Sequence, residues 1–305
     1  MRARRPPLPG GGRGRVTIFL LAAAALATAC APDAPGASGA DDAATSDGAI
    51  QVTDDSSTEL LLPAPARRIV SLVPSATQTL HEIGAGDAVV GRTDYDTLSW
   101  ARALPSVGQG LEPNMEAVVS LEPDLVIRFG GAQDPRTPSR LDALAIPHLA
   151  IRPDHVADIY RITRTLGTVT GHEAEADSLT ARIRRGLDAL AERAAVLPRK
   201  RGAYVLGGNP PWVSGPGTYI DEILSLAGGE NVFSDLEVLY SSVSPEQLRT
   251  RDVEVVLFAG SGTFDASLTP GARIVAIGGA LEIPGPGVVD AAYHVAELLH
   301  GRSLR

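Results

Sequence analysis

The sequence predicts an α/β fold of two lobes, each with a mostly parallel sheet flanked by helices, joined by one long helix. Three observations predict it. From Arg68 onward, short apolar strands alternate with helices, as in parallel sheets covered on both faces. Residues 173–197, EAEADSLTARIRRGLDALAERAAVL, carry the longest helical pattern, with Leu179, Ile183, Leu187, Leu190, Ala194 and Leu197 recurring at spacings of three and four. After Pro198 the strand–helix order begins again. With 305 residues and 44% hydrophobic composition, the chain can bury the cores of two ordinary lobes.

The N-terminal thirty residues differ in kind. MRARRPPLPGGGRGR is a basic leader, VTIFLLAAAALATA is an apolar run too short to span a membrane comfortably, and Cys30 follows at once. Leu26-Ala27-Thr28-Ala29-Cys30 resembles the bacterial lipoprotein signal, in which the cysteine is acylated after cleavage; Ala27 stands where a branched residue is usual. Cys30 is the sole cysteine, so no internal disulfide is open to it, and acylation explains both its position and its solitude. Residues 1–30 therefore read as a lipoprotein signal. Residues 31–49, small and acidic without apolar period, read as a flexible tether. The leader holds five arginines and no acids, so removing it takes the formal net charge from −9 to −14. An acidic chain without a basic run argues against nucleic acid as a partner.

The folded body runs from residue 50. QVTDDSSTELLLPAP reads as a hairpin, and IVSLV as a buried strand ended by Pro74-Ser75. Ser75-Ala76-Thr77-Gln78 has the form of a capping box opening a helix that stops at Gly84. DAVVG is a strand, then comes a loop with Tyr95 and Trp100. PNMEAVVSLEPDLVI follows: Asn114 caps a short helix, Glu116 lies in its first turn, and LVIRF is the next strand. The helix at 173–197 would span about 37 Å, enough to cross between lobes, and divides an N-terminal lobe (50–172) from a C-terminal lobe (198–305). Beyond it AYVLGG is a strand, and Thr218 opens a helix closed by Gly228-Gly229. Ser244 caps a helix with Pro245 in its first position, VEVVLF and ARIVAI are strands, and VVDAAYHVAELLHG is a final helix.

One architectural echo stands out. NMEAVVSLEPDLVI and SPEQLRTRDVEVVL each run cap, one residue, glutamate, short helix, acidic residue, strand, so Glu116 and Glu246 occupy one helical position in two similarly ordered halves. A single acid at a helix start usually only complements the helix dipole.

The body, residues 50–301, is identified as a member of the class III solute-binding proteins of bacterial ABC importers, the receptors for vitamin B12, iron-siderophores and haem. The resemblance rests on VTDDSSTELLLPAPARRIVSLVPSATQTL, IGAGDAVVGRTDYD, VGQGLEPNMEAVVSLEPDLVI, PPWVSG, ILSLAGGENVF and VSPEQL, in that order. It implies a rigid connecting helix, ligand in the cleft between lobes, small lobe motion, and export to the periplasm or cell surface. It further implies that Glu116 and Glu246 pair with arginines on a membrane permease. The receptor would be a monomer with no cofactor of its own, its membrane contact limited to the lipid anchor.

Aromatic residues make up 4% of the chain, so their places inform. Tyr95, Phe129 and Trp212 follow or end strands, where α/β lobes line ligand crevices, and Tyr240 immediately precedes the segment that carries Glu246. All four also lie where cobalamin receptors of the family carry cleft aromatics, and Glu282 agrees with the acidic position of that cleft. Phe129, Tyr240 and Gly110 stand at places of tryptophan, and Ile283 at a place of arginine. The resemblance thus implies a corrinoid, with haem or a ferric siderophore open: Tyr95 would serve as axial iron ligand, and Arg92 or Arg128 would meet carboxylates. Trp100 is a weaker candidate that would pack under its loop.

Other classes fit less well. The six histidines, His81, His148, His155, His172, His294 and His300, show no metal-ligand spacing, which argues against a bare zinc or manganese receptor. No Walker loop, nucleophile elbow or partnered carboxylate pair supports an enzyme; Gly260-Ser261-Gly262 and Asp94-Tyr95-Asp96 are weak anion and cation candidates.

Overall fold

The computed structural model describes residues 48–131, 134–260 and 264–305. The predicted signal with Cys30, residues 31–47 of the predicted tether, and Ser261 and Gly262 lie outside the described residues. Strands β1 (Ile50–Thr53) and β2 (Glu59–Leu62) form the expected antiparallel hairpin. Asp54 fixes its turn: Oδ1 accepts from the amides of Ser56 and Thr58 at 2.8 and 2.9 Å, while Oδ2 accepts from Ala150 at 3.0 Å and ties the hairpin to the body.

The N-terminal lobe holds β3 (Ile69–Ser71), β4 (Val89–Gly91), β5 (Leu125–Phe129) and β6 (His148–Ile151) in the order β4-β3-β5-β6, every pair parallel. Helices α1 (Pro74–Glu82), α2 (Met115–Ser120), α3 (Thr137–Ala143) and α4 (Val156–Thr170) connect and cover it. Ser75 does not cap α1. Pro74 takes the first helical position, where its missing N–H costs nothing, so the cap falls at Val73, the helix starts two residues earlier, and Ser75 is buried inside it. Thr77 instead donates to Ser71 Oγ at 2.9 Å, stapling α1 to the end of β3.

Helix α5 (Glu173–Ala194) is the predicted long helix, buried along Leu179, Ile183, Leu187, Leu190 and Ala194. It ends before Leu197 because Pro198 bars the preceding residue from helical geometry. The second lobe holds β7 (Lys200–Gly207), β8 (Trp212–Ser214), α6 (Tyr219–Leu226), β9 (Gly229–Asn231), β10 (Tyr240–Ser242), α7 (Pro245–Arg249), β11 (Val255–Phe258), β12 (Arg273–Ala276) and α8 (Val288–His300). Its strands run β10-β8-β7-β11-β12 with β9 also on β7; β7, β9, β11 and β12 are parallel, whereas β8 is antiparallel to β7 and β10.

Among the described residues the lobes share no strand, yet one buried apolar cluster runs through both, from Leu60 to Leu299, by way of α1, α4, α5, α6 and α8. Helix α5 packs on α4 of the first lobe and on α6 and α8 of the second. Polar ties reinforce this back wall: Glu222 on α6 accepts from the amide of Val156 at 3.0 Å and meets His155 Nδ1 at 3.0 Å.

Candidate functional site: the interlobe cleft

The carboxyl ends of the central strands converge opposite the segment that precedes α8. Between them lies a cavity of about 760 Å³. One wall comes from Leu72 and Val73 after β3, Tyr95 in the loop after β4, Leu111 before α2, and Phe129 at the end of β5; the other comes from Gly279, Glu282, Ile283 and Pro284. Tyr95 is 56% exposed and Leu111 38%, which leaves two large apolar faces open to a ligand. Gly110 is part of this wall because nothing larger fits: a Cβ there would sit 2.3 Å from the carbonyl oxygen of Leu72.

A second cavity of about 290 Å³ adjoins the first through Phe129, Glu282 and Pro284. Its walls include Arg152 and Asp154 after β6, and Tyr204, Tyr219 and Tyr240 of the second lobe. Burial, with a further push from Asp154, raises the Tyr240 phenol to about 12; burial likewise pushes Tyr204 and Tyr219 far up, so all three stay protonated. The arrangement offers apolar faces, neutral hydroxyl donors and the carboxylates of Glu282, Asp94 and Arg152-paired Asp154, which suits recognition of a large, partly apolar ring with polar arms.

The two echoed helices occupy matching places. Helix α2 leads into β5, which lies between β3 and β6; α7 leads into β11, which lies between β7 and β12. Asn114 Oδ1 accepts from the amides of Glu116 and Ala117 at 3.1 and 3.2 Å, so α2 begins where the sequence placed it. At α7, Ser244 and Gln247 close a reciprocal capping box at 3.2 and 2.8 Å. Glu116 and Glu246 are both exposed; Glu246 meets Arg249, 3.6 Å away on the same helix turn, in a surface pair of small energetic worth.

The sequence profile described as "Periplasmic binding protein" matches residues 69–272. The chain belongs to that family. It is 33% identical over 204 residues to the vitamin B12-binding protein of Yersinia pestis (strain Pestoides F), covering 66% of this chain and 73% of that protein. Its fold is similar to the periplasmic vitamin B12 binding protein BtuF of Vibrio cholerae, with TM-score 0.68 and 26% identity over 77% of this chain and 97% of that one. The apo periplasmic haem-binding protein RhuT from Roseiflexus sp. RS-1 shares the fold at TM-score 0.64 and 24% identity, over 76% and 99% of the two chains. This periplasmic binding protein is a solute-binding component of transport, not an enzyme.

Within this family's cleft the structure brings Tyr95, Phe129, Tyr240 and Glu282 to the cavity walls. Trp212 is the exception. It lies on β8 opposite Ser242, 50% exposed, with its ring over Gly208, and lines neither cavity, because the antiparallel strand turns its neighbour Val213 to the core instead. Arg128 is not free to meet a ligand carboxylate: it is buried, its Nε donates to His148 Nδ1 at 3.2 Å, and desolvation lowers its pKa. Arg92 is also engaged, donating to the carbonyls of Ala101 and Thr93 at 3.1 and 2.8 Å. Asp96 is a structural acid, buried and accepting from the amide and hydroxyl of Thr93 at 2.8 and 2.7 Å. Trp100 packs under its loop on His81, ring centroids 4.4 Å apart. Tyr204, Tyr219 and Arg152 escaped the sequence reading because each looks like an ordinary strand or helix-start residue; the one signal was a tyrosine inside the apolar strand AYVLGG.

Proposed function

We propose that this periplasmic binding protein captures cobalamin or a related corrinoid in the interlobe cleft and delivers it to the permease of an ABC importer. The supporting observation is the 760 Å³ cavity between Tyr95, Leu111 and Phe129 on one side and Glu282 and Pro284 on the other, continuous with a smaller polar chamber. Apolar faces suit the ring, and the chamber suits its arms. Glu116 and Glu246 would dock on the permease, one from each lobe, and Cys30 would carry the lipid anchor of an exported receptor. Calorimetric titration of the purified protein with cyanocobalamin tests this: saturable one-to-one binding is expected, and absence of heat or of any change in corrinoid absorbance refutes it.

A second reading has one observation in its favour. The Tyr95 phenol is exposed on the wall of the larger cavity, where it would ligate iron in a haem or ferric siderophore receptor. Haemin titration that produced a high-affinity Soret shift abolished by Tyr95→Phe would favour it over cobalamin.

A further inference from the structure

The smaller chamber carries more donors than its own protein surroundings use. Tyr204 on β7, Tyr219 in the first turn of α6 and Tyr240 at the start of β10 all line it. The Tyr204 hydroxyl is fully buried without a hydrogen-bond partner among the described residues. Tyr219 is buried and Tyr240 half-buried on the same walls, and neither hydroxyl makes a hydrogen bond among the described residues. A buried donor left unpaired costs about 1–3 kcal/mol, so the Tyr204 phenol favours an acceptor from outside the protein, with Tyr219 and Tyr240 beside it on the same chamber.

The charge around them decides which acceptor. The groups whose fields reach the three phenols are the carboxylates of Glu282 and Asp154. Arg152 also faces the chamber, but its guanidinium is held 2.6 Å from Asp154 Oδ2, so that pair is neutral as a unit. Glu282 remains, and it lines both cavities. The chamber is therefore rich in neutral donors and weakly negative, a poor host for a second carboxylate. An amide satisfies both conditions: its carbonyl accepts from phenols, and its N–H donates to Glu282.

We propose that this chamber is a subsite for an uncharged amide arm of the ligand, with Tyr204, Tyr219 and Tyr240 as its donors and Glu282 as its acceptor. The inference rests on the corrinoid reading and adds the arm chemistry that the cleft selects. Its volume of about 290 Å³ admits one short arm and excludes the ring, which stays in the larger cavity. The chamber thus favours rings with amide arms over rings with carboxylate arms.

The test uses two corrinoids with one ring: dicyanocobinamide, whose arms are amides, and dicyanocobyrinic acid, whose arms are carboxylates. Each is titrated calorimetrically into wild type and into the Y204F/Y219F double variant, with thermal melting confirming that the variant folds. Wild type is expected to prefer the amide ring, and the variant to lose roughly three- to tenfold per hydrogen bond on the amide ring while its affinity for the carboxylate ring is unchanged. Should the variant not fold, Y240F is measured in its place, with the same selective loss expected. Wild type binding the carboxylate ring as tightly as the amide ring overturns the subsite but leaves the corrinoid receptor standing, as does tight amide binding that the tyrosine variants do not weaken. Failure of wild type to bind either ring overturns both.

Discussion

Gly110 shows how much one residue can decide. The family resemblance puts it at a tryptophan place, and the backbone here admits no side chain: any Cβ would drive into the Leu72 carbonyl at 2.3 Å. The ring face lost there is partly replaced by Leu111 beside it, which opens to the cavity. Gly110→Ala is therefore expected to lower stability by about 1–3 kcal/mol, as overpacking against backbone does, and to weaken corrinoid binding as the wall shifts. Chemical denaturation and titration of the same variant read the two effects. Residue chemistry was legible in the sequence where the role is local. Asn114 and Ser244 cap the helices they were expected to cap, since a cap needs only its next three residues. Ser75 was misread because a proline one residue earlier offered the helix a better start. Tyr204 and Tyr219 were missed because their meeting depends on β7 and α6 being brought together across the sheet, which no local pattern encodes.

At the scale of elements, α5 carries the most structural weight. Its apolar stripe touches helices of both lobes, so a cavity cut there is felt by both. Leu190→Ala, at a fully buried position, is expected to cost about 2–5 kcal/mol and to keep unfolding a single transition, measured by denaturant melts followed at two wavelengths. Two separated transitions would mean the lobes do not depend on this helix. The long helix was readable because its charged and apolar faces repeat for six turns. Helix α4 was not, although it is fifteen residues long: its buried face includes Thr163 and Thr170, which donate to carbonyls four residues back at 2.7 Å and read as polar in sequence. Helices α2 and α7 each carry one exposed acid in the first turn. Charge reversal of both, Glu116→Lys with Glu246→Lys, is expected to cut corrinoid uptake by about tenfold or more while leaving affinity for free cyanocobalamin intact. Wild-type uptake by the double variant would dismiss docking through these carboxylates.

At the largest scale, the described residues set two lobe sheets, with the small β1–β2 hairpin beside them, on one helical wall. The apolar cluster passes continuously through that wall, His155 and Glu222 tie it at its edge, and among the described residues no strand crosses between the lobes to act as a hinge. Small-angle scattering with and without cyanocobalamin is expected to give superimposable profiles; a contraction of several ångströms in radius of gyration would reveal a closing motion instead. The two-lobe plan itself was evident from the repeated order of strands and helices, which needs no long-range knowledge. Which side chains face one another across the cleft was only half evident: Tyr95, Phe129, Tyr240 and Glu282 arrived at the walls, while Trp212 did not. A crystal structure grown with cyanocobalamin would settle the matter. The corrin ring is expected in the larger cavity, against Tyr95 and Phe129 and facing Glu282, with an amide arm in the tyrosine chamber; an empty cleft in crystals of the saturated protein, or a ring bound on the outer surface, would contradict it.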